Sequence, residues 1–283
     1  MSKINTIMAV GAGQMGAGIA QVAATAGYSV IMSDIEQRFI DNGLRTVSQN
    51  LERMIGKGKL SAEKGKDIRS RIRTSVGLSL ASEADLVVEA SPENIAIKRD
   101  IFTKLDGICP AHTILASNTS SISITMLAAM TKRPDRFIGM HFSNPVPVMK
   151  MLEIICGIAT SEETFQAVRQ VGLDLGKEVF KVNDFPGFCG NRIIVPMINE
   201  AIYELMEGVA SAEDIDGLIK AGYNHPMGPL ALADLIGLDT VLSIMEVLYA
   251  GYNDPKYRPC PLLRKMVQAG YLGRKSSRGF YKY

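Results

Sequence analysis

Tryptophan is absent from the 283 residues, histidine occurs three times and cysteine four. The missing tryptophan bears on packing alone. Cys109, Cys156, Cys189 and Cys260 form no CxxC and no metal-like spacing, so no metal site is expected. With no leader segment ahead of them, they read as the reduced thiols of a cytoplasmic protein. No apolar run reaches about 18 residues, which argues against a membrane span. A charge excess is also lacking. The chain has 31 Lys and Arg against 29 Asp and Glu, a formal +2, so no global field draws it to nucleic acid. What is there is globular: 47% hydrophobic and 21% charged residues lie far from a disordered composition. The length allows one large domain or two ordinary ones. Met1-Ser2-Lys3 runs straight into a strand pattern, and no internal repeat is apparent.

Ile4 to Val10 reads as a buried strand and ends in Gly11-Ala12-Gly13-Gln14-Met15-Gly16-Ala17-Gly18. Ile19, Ala20, Val22, Ala23 and Ala24 then continue with helical spacing to Gly27. Tyr28–Met32 is a second strand, and Asp34 closes it. Strand, glycine turn, helix, strand, acidic residue is the order of a dinucleotide-binding βαβ unit. Gly11 permits the tight turn, Gly13 lets the backbone approach a pyrophosphate, and Gly16 lets helix and strand pack closely. The amino end of the helix, with Gln14 and Met15 in its first turn, offers unpaired N–H groups. Asp34 can accept hydrogen bonds from the adenosine ribose and would repel a 2′-phosphate, so NAD is expected rather than NADP. Arg38 is the one residue nearby that argues the other way.

Residues 36–70 interrupt the strand rhythm. Ile35–Ile55 is helical in pattern, Gly56-Lys57-Gly58-Lys59 turns, and Ser61–Ile72 is helical again, so an inserted helical hairpin is expected. Nine Lys or Arg against four Asp or Glu between Asp41 and Arg73 make it basic. A solvated helix face and a landing surface for an anionic substrate handle explain this equally well.

The α/β rhythm then resumes with a weak strand at Arg73–Val76 and a strong one at Asp85–Ala90. Glu93 and Lys98 fall on the loop and helix that follow, and Thr113–Ala116 is the next strand. It ends in Ser117-Asn118-Thr119-Ser120-Ser121, a polar cluster where open parallel sheets bind ligands. Ser120 and Ser121 could equally be N-caps of a helix over Ile124–Met130. Arg136–His141 and Met151–Cys156 read as two strands joined by Phe142-Ser143-Asn144-Pro145-Val146-Pro147-Val148-Met149-Lys150. His141 and Glu153 sit six residues either side of Pro147. If the strands pair across this loop, the carboxylate can hold one imidazole nitrogen and leave the other basic. Taken alone, such a pair is more often structural. Glu162–Leu175 is an amphipathic helix and Glu178–Val182 a last strand.

Asn183-Asp184-Phe185-Pro186-Gly187 marks a boundary. Beyond it four helices are expected, at about 188–207, 211–221, 229–250 and 260–269. In the first, Ile193, Ile194, Met197, Ile198, Ala201 and Leu205 form the apolar face. Asn191 near its amino end can point back toward the first domain. His225, between Asn and Pro, reads as a loop-fixing residue. The fold class is therefore α/β: an N-terminal Rossmann-type doubly wound sheet with an inserted helical hairpin, followed by an all-α C-terminal domain. The expected domains are 1–183 and 184–283, with the insert at about 36–70.

Taken together, Gly11–Gly18, Ala116–Ser121, Gly139–Lys150, Pro186-Gly187-Phe188 with Asn191-Arg192, His225–Pro229 and Leu272-Gly273-Arg274-Lys275 resemble the short-chain L-3-hydroxyacyl-CoA dehydrogenases, in particular the bacterial 3-hydroxybutyryl-CoA dehydrogenases. The resemblance runs over essentially the whole chain. Cys189 and Gly190 depart from it, standing where relatives have larger apolar residues. It implies reversible hydride transfer between NAD(H) and C3 of a 3-hydroxyacyl-CoA or acetoacetyl-CoA, in butyrate formation or fatty-acid oxidation. His141 would be the acid–base group oriented by Glu153, and Ser120 and Asn191 would hydrogen-bond the substrate. Glu93, Lys98, Asn118, Asn144 and Lys275 would contact NAD. Arg53 and Lys57 on the basic hairpin would receive the CoA moiety. A homodimer through the helical domain is implied as well. The competing readings are an NAD-linked enzyme acting on a free hydroxy acid, and a non-catalytic NAD-binding protein.

Overall fold

The computed structural model describes residues 3–283; the Met1-Ser2 opening lies outside them. The chain divides into two compact units, the first ending at Asp184 and the second beginning at Phe185.

In the first unit the strands are β1 (Thr6–Val10), β2 (Ser29–Asp34), β3 (Ile72–Val76), β4 (Leu86–Glu89), β5 (Ile114–Ser117), β6 (Phe137–Phe142), β7 (Met151–Cys156) and β8 (Glu178–Asn183). They form one sheet in the order β3-β2-β1-β4-β5-β6-β7-β8. The first six run parallel. β7 turns back antiparallel to β6, and β8 runs parallel to β7. Helices α1 (Gln14–Thr25), α2 (Gln37–Gly56), α3 (Ala62–Ser70), α4 (Ile95–Ile108), α5 (Ile124–Ala128) and α6 (Glu162–Asp174) complete the unit. Apolar residues of β1, β2, β4 and β5 such as Ile7, Val30, Leu86 and Ile114 are buried. Covered on both faces, these strands read in the sequence as continuous rather than alternating apolar runs. Strand order reverses at β1, with β2 on one side and β4 on the other. The crevice beyond the carboxyl ends of β1 and β4 is where a doubly wound sheet takes its ligand.

The hairpin between β2 and β3 is the pair α2 and α3. It packs on the unit through Ile40, Val47 and Leu51. A Cβ at Gly43 would come within 2.6 Å of the Ala12 carbonyl oxygen, so α2 lies directly against the glycine turn.

The second unit is helical: α7 (Gly190–Glu207), α8 (Ala212–Tyr223), α9 (Pro229–Ile236), α10 (Leu238–Tyr252) and α11 (Pro261–Gln268). Two expectations fail here. The single helix at 229–250 is two, because Gly237, at φ 102°, takes a backbone conformation that an α-helix does not pass through. The apolar face of α7 is rotated: Val195, Ile198, Ala201 and Ile202 are buried, whereas Ile193 is 64% exposed. Asn199 sets the inward side. Its amide donates to the Arg258 carbonyl at 3.1 Å and accepts from the Cys260 N–H at 2.8 Å, so a polar residue is buried with both halves satisfied. After α11 the chain makes one short 3-10 turn at Arg274–Ser276 and wraps back: the buried Asp234 carboxylate accepts from the N–H groups of Phe280 and Tyr281. Among the described residues no helix is long and apolar enough to cross a membrane.

Candidate active site

Gly11 lies at φ 99°, and a Cβ there would approach the Ala90 carbonyl oxygen to 2.7 Å. A Cβ at Gly16 would meet the Gly11 oxygen at 1.7 Å, so helix and turn require glycine at both positions. Gly13 differs: a Cβ there would meet nothing within 4 Å. Its glycine therefore answers to no protein neighbour, and it leaves open space into which a pyrophosphate would fit. Gly13 is also the N-cap of α1 and has no side chain to offer that helix's first N–H groups. An anionic group is the partner this end suits. Gln14 and Met15 form the first turn of α1. Asp34, at the end of β2, accepts from the N–H of Ala12 and of Ile35, each at 2.7 Å. The two bonds hold its carboxylate beside the glycine turn. These residues fit a dinucleotide.

The next two strand ends carry a polar network. Glu89, the last residue of β4, is fully buried, and Lys98 of α4 reaches it with Nζ at 2.8 and 2.9 Å from the two carboxylate oxygens. Ser91 and Ser117 donate to the same carboxylate at 2.6 Å. Lys98 Nζ also lies 3.5 Å from Glu93. One oxygen of Glu93 accepts from the Thr119 hydroxyl, from the N–H of Ser120 and Ser121 at 3.0 and 3.1 Å, and from the Ser121 hydroxyl at 2.9 Å. Burial alone would raise this carboxyl, but the Thr119 bond, the Lys98 charge and the bonds from Ser121 and Ser120 outweigh it. Together they hold Glu93 below the usual carboxylate range. Ser120 and Ser121 thus bond Glu93, and neither is the N-cap of α5. The N-cap of α5 is Ser123, whose hydroxyl accepts from the Met126 N–H at 3.1 Å. Asn118 ties the strand ends together: its N–H donates to the Glu89 carbonyl at 2.7 Å, and its side-chain oxygen accepts from the Phe142 N–H at 3.0 Å.

The register of β6 on β7 places His141 opposite Glu153. His141 Nδ1 lies 2.8 Å from Glu153 Oε2, and Glu153 is 3% exposed. With Glu153 ionised, the carboxylate can only accept, so Nδ1 would donate to it and the basic role would fall to Nε2. Asn144 is exposed in the loop that follows.

The remaining predicted residues lie elsewhere. Arg53 sits in the last turn of α2 and Lys57 just after it, both exposed. Other cations of the basic stretch are paired: Arg71, just after α3, with Asp67 at 3.2 Å, and Arg73 of β3 with Glu83 at 2.6 Å. Asn191 is in the first turn of α7, in the second unit. Lys275, also there, pairs with Asp239 at 2.6 Å. Among the described residues no group of three or more His, Cys, Asp and Glu could hold a metal ion. Glu89 and Ser91 escaped sequence reasoning, with the polar end of a strong apolar strand as their one signal, whereas Ser117 belonged to the polar cluster that the sequence singled out.

Residues 6–185 match the 3-hydroxyacyl-CoA dehydrogenase NAD binding domain, and residues 187–283 match the 3-hydroxyacyl-CoA dehydrogenase C-terminal domain. The chain belongs to this family. A probable 3-hydroxybutyryl-CoA dehydrogenase of Bacillus subtilis is 58% identical over 99% of this chain and 98% of its own length. The 3-hydroxybutyryl-CoA dehydrogenase of Bradyrhizobium diazoefficiens is 52% identical over 99% of this chain and 96% of its own. The crystal structure of (S)-3-hydroxybutyryl-CoA dehydrogenase from Ralstonia eutropha superposes with a TM-score of 0.97 at 52% identity, covering 99% of both chains. The expected fold, a mostly parallel Rossmann-type sheet followed by a helical domain, is thus that of the 3-hydroxyacyl-CoA dehydrogenases. The glycine turn and Asp34 fall inside the part that matches as NAD-binding.

Proposed function

We propose that the chain is a 3-hydroxybutyryl-CoA dehydrogenase that uses NAD, with His141 and Glu153 as its acid–base pair. The observation that carries this reading is the 2.8 Å bond between His141 Nδ1 and a buried carboxylate oxygen. Relatives named for this activity match nearly the whole chain. Bound NAD supplies the hydride chemistry at C3 of the substrate. His141 Nε2 takes the proton of the C3 hydroxyl during oxidation and returns it to the C3 oxygen during reduction. Glu153 keeps the imidazole in the Nδ1–H form and stabilises the imidazolium that forms. Such proton transfer is typically worth about 10²–10⁴-fold in rate.

Ser120 and Asn191 hydrogen-bond the C3 oxygen or the thioester. Glu93 holds the Ser120 segment and, with Lys98, Asn118, Asn144 and Lys275, contributes to the cofactor site. Arg53 and Lys57 receive the phosphates of CoA, which carries its charge at the end remote from the reacting carbon. The first domain, 1–183, binds the cofactor; the second, 184–283, serves substrate binding and dimerisation. NAD is preferred to NADP because Asp34 opposes a 2′-phosphate. Arg38, the nearby cation that could receive one, is paired with Glu36 at 2.8 Å and lies over the Phe39 ring at 4.8 Å. The enzyme works in the cytoplasm as a homodimer, in butyrate formation or fatty-acid oxidation.

The test is steady-state oxidation of NADH and NADPH with acetoacetyl-CoA, and with free acetoacetate beside it. Turnover confined to NADH and the thioester is expected. No turnover with acetoacetyl-CoA would overturn the reading, and equal rates on the free acid would favour a hydroxy-acid enzyme.

A further inference from the structure

We propose that Lys177, between α6 and β8, is a positioning residue that pins the β6–β7 loop and thereby keeps His141 in register with Glu153; this rests on reading that pair as the acid–base couple. Lys177 Nζ donates to the carbonyl oxygen of Val146 and, at 2.8 Å, to that of Met149. The residue is 7% exposed, and among the described residues no carboxylate forms a salt bridge with it. An ammonium removed from water and given no counter-charge is costly, and burial pushes Lys177 below the usual lysine range. Two main-chain carbonyls of one loop are what hold it there.

That loop is the connection between the two functional strands. Val146 follows His141 by five residues and Met149 precedes Glu153 by four. The N–H groups of Val148 and Met149 both donate to the Pro145 carbonyl at 3.0 Å, closing a compact turn. The carbonyls of Val146 and Met149 are turned toward Lys177. A second fastening comes from α1: Val146 is buried, and a Cβ at Gly18 would lie 2.9 Å from the Val146 Cβ. The helix that carries the glycine turn at its start therefore also seats the loop that follows His141. Lys177 supplies the other fastening, through the Val146 and Met149 carbonyls. At the entry to β8, the Glu178 N–H donates to the Lys150 carbonyl at 2.9 Å and starts the pairing of β8 with β7.

Register is the quantity at stake. Side chains alternate along a strand, so a one-residue slip of β7 would turn Glu153 to the opposite face and take it from His141. A loop that is merely looser would leave the imidazole partly unoriented, and misplacement by about 1 Å can cost roughly 10²-fold in rate.

The experiment is a double-variant cycle on the full-length enzyme, with NADH and acetoacetyl-CoA. Lys177→Met keeps the length of the side chain and removes its donors. Its kcat is expected to fall about tenfold or more, with NADH affinity, read by cofactor fluorescence, within about threefold of wild type. In a His141→Ala background the same substitution should have almost no further effect on kcat, because residues that act as a unit are not additive. Full additivity would overturn the proposal, as would an unchanged kcat in Lys177→Met. Wild-type turnover in His141→Ala alone would instead refute the acid–base reading, a separately visible result. If Lys177→Met does not fold, Lys177→Gln carries the same cycle. Amide exchange in the wild type is independent of both variants. The Val148 and Met149 amides should exchange as slowly as those of β7, and rapid exchange there would show that the loop is not pinned.

Discussion

His141 faces Glu153 across an antiparallel pairing, the one of its kind in the sheet among the described residues, with 2.8 Å between Nδ1 and the carboxylate oxygen. The reversal of β7 is what allows this. In an antiparallel pair the two opposed residues project their side chains on the same face at close range. Glu153→Gln retains shape but loses the charge that, in the proposed mechanism, stabilises the imidazolium. Turnover should fall by about 10²-fold or more while NADH binding stays near normal. Steady-state rates and a cofactor titration check this, and near-wild-type turnover would remove the dyad from the mechanism.

Lys57 follows the last turn of α2 and is exposed. If it meets the nucleotide phosphates of CoA, Lys57→Ala should raise KM for acetoacetyl-CoA. It should leave KM for an acetoacetyl-pantetheine thioester, which lacks the nucleotide, almost unchanged. An equal rise on both substrates would argue against phosphate contact.

The Asp34 carboxylate is held by the N–H groups of Ala12 and Ile35, so its charge is fixed beside the glycine turn. A like-charge contact at about 4 Å costs about 1 kcal/mol in water and about 4 kcal/mol near a protein surface. Asp34→Ser should lower kcat/KM for NADH and raise it for NADPH, narrowing the ratio between them by about tenfold or more. A ratio unchanged by the substitution would place the selectivity elsewhere.

Much of the first domain was legible because strands buried on both faces are written as unbroken apolar runs, and because the glycine turn demands its own spacing. The His141–Glu153 opposition was legible from symmetry about Pro147. Other features depend on contacts that no local pattern announces. Gly237 breaks a helix whose apolar spacing continues past it, since Ala233, Leu238 and Val241 are all buried. The inward face of α7 is set by Asn199, a polar residue that a hydrophobic period excludes. Ser120, Ser121 and Ser123 are equally good caps by type, and their division of labour depends on where Glu93 stands. Lys177 gives no sign at all in the sequence, because its partners are main-chain oxygens.

Glu93 carries a pH dependence. Its carboxyl is held below the usual range, so the folded state binds a proton there less readily than the unfolded chain, whose glutamates titrate near about 4.3. The associated stability is fully present above that value and is lost as pH falls through the folded-state value. Wild type and Glu93→Gln should therefore differ in thermal midpoint at pH 7, with wild type higher, and the difference should shrink as pH falls below about 4.3 and vanish below the folded-state value. A difference that persists unchanged into acid would mean that the variant acts through lost packing and not through the carboxylate charge.

The Glu89–Lys98 pair makes the strongest claim on stability. Both side chains are buried at 1% exposure or less, and Glu89 additionally accepts from Ser91 and Ser117. Lys98→Met strands a carboxylate in the interior with only neutral donors left to it, and removing one partner of a buried pair typically costs about 3–5 kcal/mol. Adding Glu89→Gln to that variant removes the stranded charge while keeping an acceptor for the two serines. The double variant should then be more stable than Lys98→Met alone, although it carries one more substitution. Urea unfolding of the wild type, both single variants and the double variant gives the coupling directly. Additive losses would mean that the two groups do not depend on each other, and that their closeness of 2.8 Å contributes little to the fold.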